Sequence, residues 1–174
     1  AYYRRGLPRF LKVKALIESG AIGEVRLVTV TLYRPPSKQD QDPDHLPWRV
    51  IPAIAGGGYF LDLASHTLDY LDYALGPIRE VQGFAANQGG YYDAEDIVTG
   101  SFVFASGVHG AGTWCFTAGG RVDRNEIVGS EGVVRFSTFG VEPVVLETDE
   151  GVTEFPIDTP PHVQQPLIQT VVDD

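Results

Sequence analysis

Apolar residues recur along this chain with two periods, and the change from one to the other divides it. Between 7 and 19, Phe10, Val13, Leu16 and Ile17 are spaced by three or four, as are Leu7, Leu11 and Ala15, the spacing of a helix that buries one stripe. Pro8 suits its first turn and Gly20 its end. Residues 24–33, rich in Val, Leu and Thr with only weak alternation, read as a strand covered on both faces. Residues 34–47 read as a long loop: Pro35, Pro36, Pro43 and Pro47 forbid regular structure, and Asp40, Asp42 and Asp44 are expected to solvate it. Connections of this length are often functional. The run Gly56-Gly57-Gly58 opens a second helix over 59–75, closed by Gly76-Pro77.

Beyond 76 the period shortens to two. Runs at 79–86, 96–105, 108–117, 125–128, 133–136, 144–148 and 152–155 read as strands divided by turn residues. A two-residue hairpin at Ser106-Gly107 would put Thr99, Ser101, Val108, Gly110, Gly112, Trp114 and Phe116 on one face. Helix, strand, helix and then many strands predict an α+β fold: one large, predominantly antiparallel sheet with helices on one face. The bare face then meets water or a second subunit, and the Val and Phe content of the later runs favours a homo-oligomer.

The chain has 174 residues, enough for one domain with a real core. A net charge of −10 argues against nucleic-acid binding, and no apolar run approaches the ~20 residues of a membrane helix. One cysteine, Cys115, excludes a disulfide framework or a multi-cysteine zinc site and suits a reducing cytoplasm. The charge is uneven: residues 1–50 carry a net +4, led by Arg4, Arg5, Arg9, Lys12 and Lys14. That excess is either a solvated helix face or an end that meets something anionic. Ala1 is no natural start, and a new helical pattern begins at Pro166 just before the chain stops, so a piece of a larger protein is expected.

On the 59–75 helix, Asp62, His66, Asp69 and Tyr73 fall on one face, with Leu61, Ala64, Leu68, Leu71 and Leu75 opposite. A carboxylate one turn before an imidazole can fix its tautomer and tune it for proton transfer near neutral pH. The three glycines would let a backbone or a ligand approach the helix start. Two plainer readings stand beside this: a solvated helical stripe, or a divalent-metal site built from Asp62, His66 and Asp69.

Three glycines, then Asp-x-x-x-His-x-x-Asp from Asp62 to Asp69, then Leu75-Gly76, resemble the substrate-domain signature of the glucose–fructose oxidoreductase/inositol dehydrogenase (Gfo/Idh/MocA) family. Ala1 to Arg5, Gly20 to Val25, Leu46 to Arg49 and Pro161-His162-Val163 are similar to family segments in the same order. The resemblance covers nearly the whole chain. It implies the C-terminal α+β domain of a two-domain enzyme, whose N-terminal Rossmann domain binds NAD or NADP. This chain lacks a Gly-x-Gly-x-x-Gly in a strand-turn-helix context, and the family's Glu-Lys-Pro lysine would lie upstream of Ala1. By the same resemblance His66 is the general acid/base, and Asp62 orients it or binds a substrate hydroxyl. Trp48, Arg49, Tyr33 and His162 line the pocket of a sugar or polyol, and Tyr2 and Arg4 lie toward the cofactor. The alternative is a sugar-binding or dimerisation module of the same fold without redox chemistry.

Overall fold

The computed structural model describes residues 2–173; Ala1 and Asp174, on which part of the expected chain ends rested, lie outside them. Its centre is one eight-stranded sheet. The strands are β1 (Val25–Tyr33), β2 (Ile78–Ala86), β3 (Ile97–Phe104), β4 (His109–Cys115), β5 (Val122–Gly129), β6 (Gly132–Phe136), β7 (Val144–Thr148) and β8 (Gly151–Phe155), in the order β2-β3-β4-β1-β5-β6-β7-β8. β1 is inserted between β4 and β5. It runs parallel to β4, and the other neighbours pair antiparallel. The fold is therefore the expected predominantly antiparallel α+β sheet.

The helices are α1 (Pro8–Glu18), a four-residue α2 (Pro52–Ala55), α3 (Tyr59–Leu75) and α4 (Gln165–Asp173). α1 packs over β6 and β7, and α3 over β3. Both lie on the face that buries Val28, Val30, Phe102, Trp114, Ile127 and Val134. Inside α3 the buried stripe is Ala64, Thr67, Tyr70 and Leu71, whereas Leu61, expected to anchor the helix, is exposed. Tyr70 reaches the core by donating its hydroxyl to the Phe10 carbonyl at 2.7 Å, which ties α3 to α1.

The hairpin between β3 and β4 corrects the expected register. Phe104 N–H bonds Val108 O, and Gly107 takes a left-handed φ of +87°, so the loop has three residues, not two. One residue of slip reverses every side chain. Trp114, Gly112 and Gly110 pair with Val98, Gly100 and Phe102 on the helix side, while Thr99 and Ser101 pair with Thr113 and Ala111 on the bare side. Gly110 and Gly112 leave room for the Phe102 and Trp114 rings to lie flat across the strand.

The bare face has two halves. Across β1, β3 and β4 it presents Thr29, Thr31, Thr99, Ser101, Ala111 and Thr113, with Phe84 of β2 80% exposed at its edge. Across β5 to β7 it carries a charged ladder in which Arg135 donates to Glu126 at 2.7 Å and also pairs with Glu147. The second half is suited to water, contrary to the expected Val- and Phe-rich surface.

The 34–47 loop is not simply solvated. Asp40 is fully buried and accepts hydrogen bonds from Tyr59 Oη at 2.6 Å and Ser37 N at 2.7 Å, with Arg34 Nη1 3.7 Å away. A carboxylate removed from water needs such partners, and here they fasten the loop to the start of α3.

Candidate functional site

α3 is the platform of the site, and its glycine-rich start is occupied by the chain itself. The 87–96 segment folds over it, and Glu95 Oε1 accepts the Gly58 N–H at 2.9 Å. A Cβ on Gly58 would stand 2.5 Å from the Glu95 carbonyl oxygen. The glycines therefore admit a backbone, and the carboxylate offsets the positive helix end.

About two turns on, the half-buried His66 ring stands edge-on to Tyr2 (centroids 5.6 Å apart) and Phe139 (6.3 Å), with Tyr3 at 5.8 Å. Its Nδ1 is buried without a hydrogen-bond partner. Burial, then the nearby Arg4 guanidinium, hold its pKa below the ordinary histidine value, against the opposing pull of Asp62 and Asp69. The imidazole therefore stays uncharged to lower pH than an ordinary histidine does.

Arg4 is the neighbour that sequence reasoning placed differently. It is only 5% exposed, donates from Nε to Thr138 O at 3.0 Å, and stacks 4.5 Å from the Phe139 centroid. Arg9 is buried as well, bonding Ser137 Oγ at 2.9 Å and Glu142 O at 3.1 Å. Thr138 is held in turn by Thr67 Oγ1 at 2.9 Å and by Asp123, whose carboxylate accepts the N–H groups of Thr138, Phe139 and Gly140. The 137–142 connection is thus built around two arginines and presents Phe139 to His66. The early basic excess is partly internal, and the only sequence signal for it was the clustering of those arginines.

Asp62 accepts from Arg49 Nε at 2.6 Å, and no hydrogen bond joins it to His66. Arg49 stacks 4.6 Å from the ring of Trp48, which is 51% exposed. Asp69 accepts Arg5 Nε at 2.9 Å, and Asp72 accepts the Ile78 N–H at 3.0 Å. Each acid of this helix face has its own partner in the protein, so the face is neither a plain solvated stripe nor a converging ligand set. Among the described residues no group of three or more His, Cys, Asp or Glu is placed to hold a metal ion.

Tyr33, Arg34, Arg49, Asp62, Arg121 and Phe139 line part of a cleft of about 620 Å³. This is within the usual size of small-molecule pockets. Asp62 and Phe139 bring it to the edge of His66. Arg34 lies over Tyr59, 4.3 Å from its centroid. Trp48 reaches the cleft through Arg49. His162 is exposed in the turn before α4, where its carbonyl accepts the Gln165 N–H, and it lies off the lining of this cleft. Arg34 and Arg121 were not singled out from the sequence. Both stand where a β-element meets a loop, after β1 and before β5, a position that only strand order reveals.

The family model for the GFO/IDH/MocA C-terminal domain matches residues 10–135. The chain belongs to that family. An oxidoreductase of Formosa agariphila is 33% identical over 99% of this chain and 53% of its own length. Levoglucosan dehydrogenase, solved with NADH and levoglucosan, aligns with a TM-score of 0.78 at 25% identity over 98% of this chain and 54% of that one. An NAD-binding oxidoreductase from Klebsiella pneumoniae aligns at 0.76 and 23% identity, over 91% of this chain and 46% of that one, and shows the fold. The chain spans about half the length of the curated relative it matches. The family C-terminal domain and its α+β sheet are what this chain provides, and its relatives are oxidoreductases.

Proposed function

We propose that this domain forms the substrate side of an NAD- or NADP-dependent oxidoreductase acting on a CH–OH group of a sugar or polyol, with His66 as the proton acceptor. The observation that carries this reading is His66 itself: a half-buried imidazole, its pKa held below the ordinary histidine value, beside Phe139 and one turn from Asp62, both of which line the cleft. A neutral base beside the substrate oxygen is what alcohol oxidation requires. The hydroxyl proton passes to the imidazole as the carbonyl forms; in reduction both steps reverse. When bound, the nicotinamide takes up or returns the hydride. Asp62, fixed by Arg49, offers its remaining acceptor positions to substrate hydroxyls, and Trp48 and Tyr33 supply apolar walls.

Among the described residues no glycine-rich strand-turn-helix is present. Tyr2, 47% exposed and against His66, fits contact with a nicotinamide ring. Arg4 is turned inward and acts through His66. We assign dinucleotide binding to a Rossmann domain elsewhere in the full-length protein, and the missing lysine with it. The bare threonine half of the sheet is the surface we assign to homo-oligomer contact. Nicotinamide chemistry and a single thiol suit the cytoplasm, and among the described residues no helix is long and apolar enough to cross a membrane.

The test is a coupled spectrophotometric assay of the full-length protein with NAD and NADP over a panel of sugars and polyols. Turnover with one of them, absent when residues 1–174 are assayed alone, is the expected result. Absence of turnover with every pair, together with retained sugar binding, favours the non-catalytic module.

A further inference from the structure

Three guanidinium groups line the cleft, those of Arg34, Arg49 and Arg121. Arg49 is paired with Asp62 and Arg34 faces Asp40. Arg121 is the third. It is exposed, lines the cleft, and among the described residues forms no ion pair or side-chain hydrogen bond.

Its placement is as specific as its charge. Arg121 directly precedes β5, whose Val122 and Asp123 line the same cleft, and it shares that wall with Tyr33, the last residue of β1. It shares the cleft lining with Asp62, which lies one turn before His66 on the α3 face. A molecule held in the cleft would meet hydrogen-bonding groups at Asp62 and an unpaired guanidinium at Arg121. A guanidinium offers parallel N–H donors that match an oxyanion.

We infer that Arg121 is a specificity residue and that the substrate carries a carboxylate, as a sugar acid of the hexuronate type does. This inference rests on the proposed sugar-oxidoreductase reading of the same cleft. A monoanion fits the one lining guanidinium without an ion pair among the described residues. A phosphate dianion would bring a second negative charge beside the lining carboxylates Asp62, Asp123 and Glu142.

The experiment titrates the full-length protein, saturated with NADH, with three hexuronates (glucuronate, galacturonate, mannuronate) and the three matching hexoses, by calorimetry at low and moderate salt. Glucose 6-phosphate is the dianion control. At least one hexuronate is expected to bind about tenfold tighter than its hexose, with the advantage shrinking as salt rises. Arg121→Gln is expected to collapse that difference, and Arg121→Lys to restore part of it. Equal affinities within all three pairs, a preference that survives Arg121→Gln, or tighter binding of glucose 6-phosphate would each overturn the inference. His66→Asn keeps the two readings apart. It should lower turnover by about a hundredfold or more and leave the hexuronate preference intact. Turnover of neutral sugars without any carboxylate preference removes the inference alone; full turnover by His66→Asn removes the functional reading alone.

Discussion

Arg49 donates its Nε–H to Asp62 Oδ2 at 2.6 Å, and that bond, not one to His66, fixes the carboxylate at the edge of the cleft. The imidazole and the carboxylate one turn before it are neighbours on α3 without being hydrogen-bonded, and the proposed function gives them separate roles, one toward a proton and the other toward substrate hydroxyls. Arg49→Gln should therefore act mainly on substrate binding. A rise in KM of about tenfold with kcat changed far less is expected, the loss of one charge-assisted bond. Steady-state kinetics of the full-length protein check this, and an equal fall in kcat would place Arg49 in the chemical step.

The depressed pKa of His66 has a sign that can be worked out. The unfolded chain takes up a proton near 6.5, the folded one only at lower pH. As pH falls through 6.5 the unfolded state binds more protons, so this group's contribution to stability declines there and levels off below the folded pKa. The acid limb of the pH–rate profile should likewise lie below 6.5. Because Arg4 assists in depressing this pKa, Arg4→Met should move the limb upward, toward 6.5. An unmoved limb in a folded Arg4→Met protein would show that Arg4 does not act through His66.

Asp40 is the buried fastening of the 34–47 loop. Asp40→Ala strands the Tyr59 hydroxyl and the Ser37 N–H in the interior and leaves Arg34 without its carboxylate. A loss of about 3 kcal/mol is expected from such a deletion, read as a lowered urea midpoint. Asp40→Asn, which keeps an acceptor, should lose less.

Thr113 stands between Thr31 and Thr99 in the middle of the bare sheet face. Thr113→Arg should dissociate an oligomer built on that face while leaving the thermal midpoint of the separated subunit close to that of the parent domain. Light scattering after size exclusion decides it. An oligomer that survives the substitution uses another surface.

Much of this architecture could be read from residue order, because its determinants are local. The 3.6-residue spacing of Phe10, Val13, Leu16 and Ile17, with Pro8 and Gly20 at the ends, leads directly to α1, and the glycines at 56–58 and Gly76 bound α3. Strand order was not legible, since nothing near β1 says that it enters between β4 and β5. The β3–β4 register failed on one loop residue. Polar burial was the other blind spot. Arg4, Arg9 and Asp40 look like surface charges until tertiary contacts bring Thr138, Ser137 and Tyr59 to them. The candidate site divides in the same way: His66, Asp62 and Arg49 were singled out from spacing and family likeness, Arg121 only from the assembled cleft.

The central claim is that His66 moves the proton. Stopped-flow measurement of the NADH signal in a single turnover, comparing the full-length parent with His66→Asn on the best sugar substrate, tests it most directly. A fall of 10²–10⁴-fold in the hydride-transfer rate, with substrate affinity little changed, is the roughly expected scale for loss of a general base. A His66→Asn protein that transfers hydride at the parent rate would contradict the account.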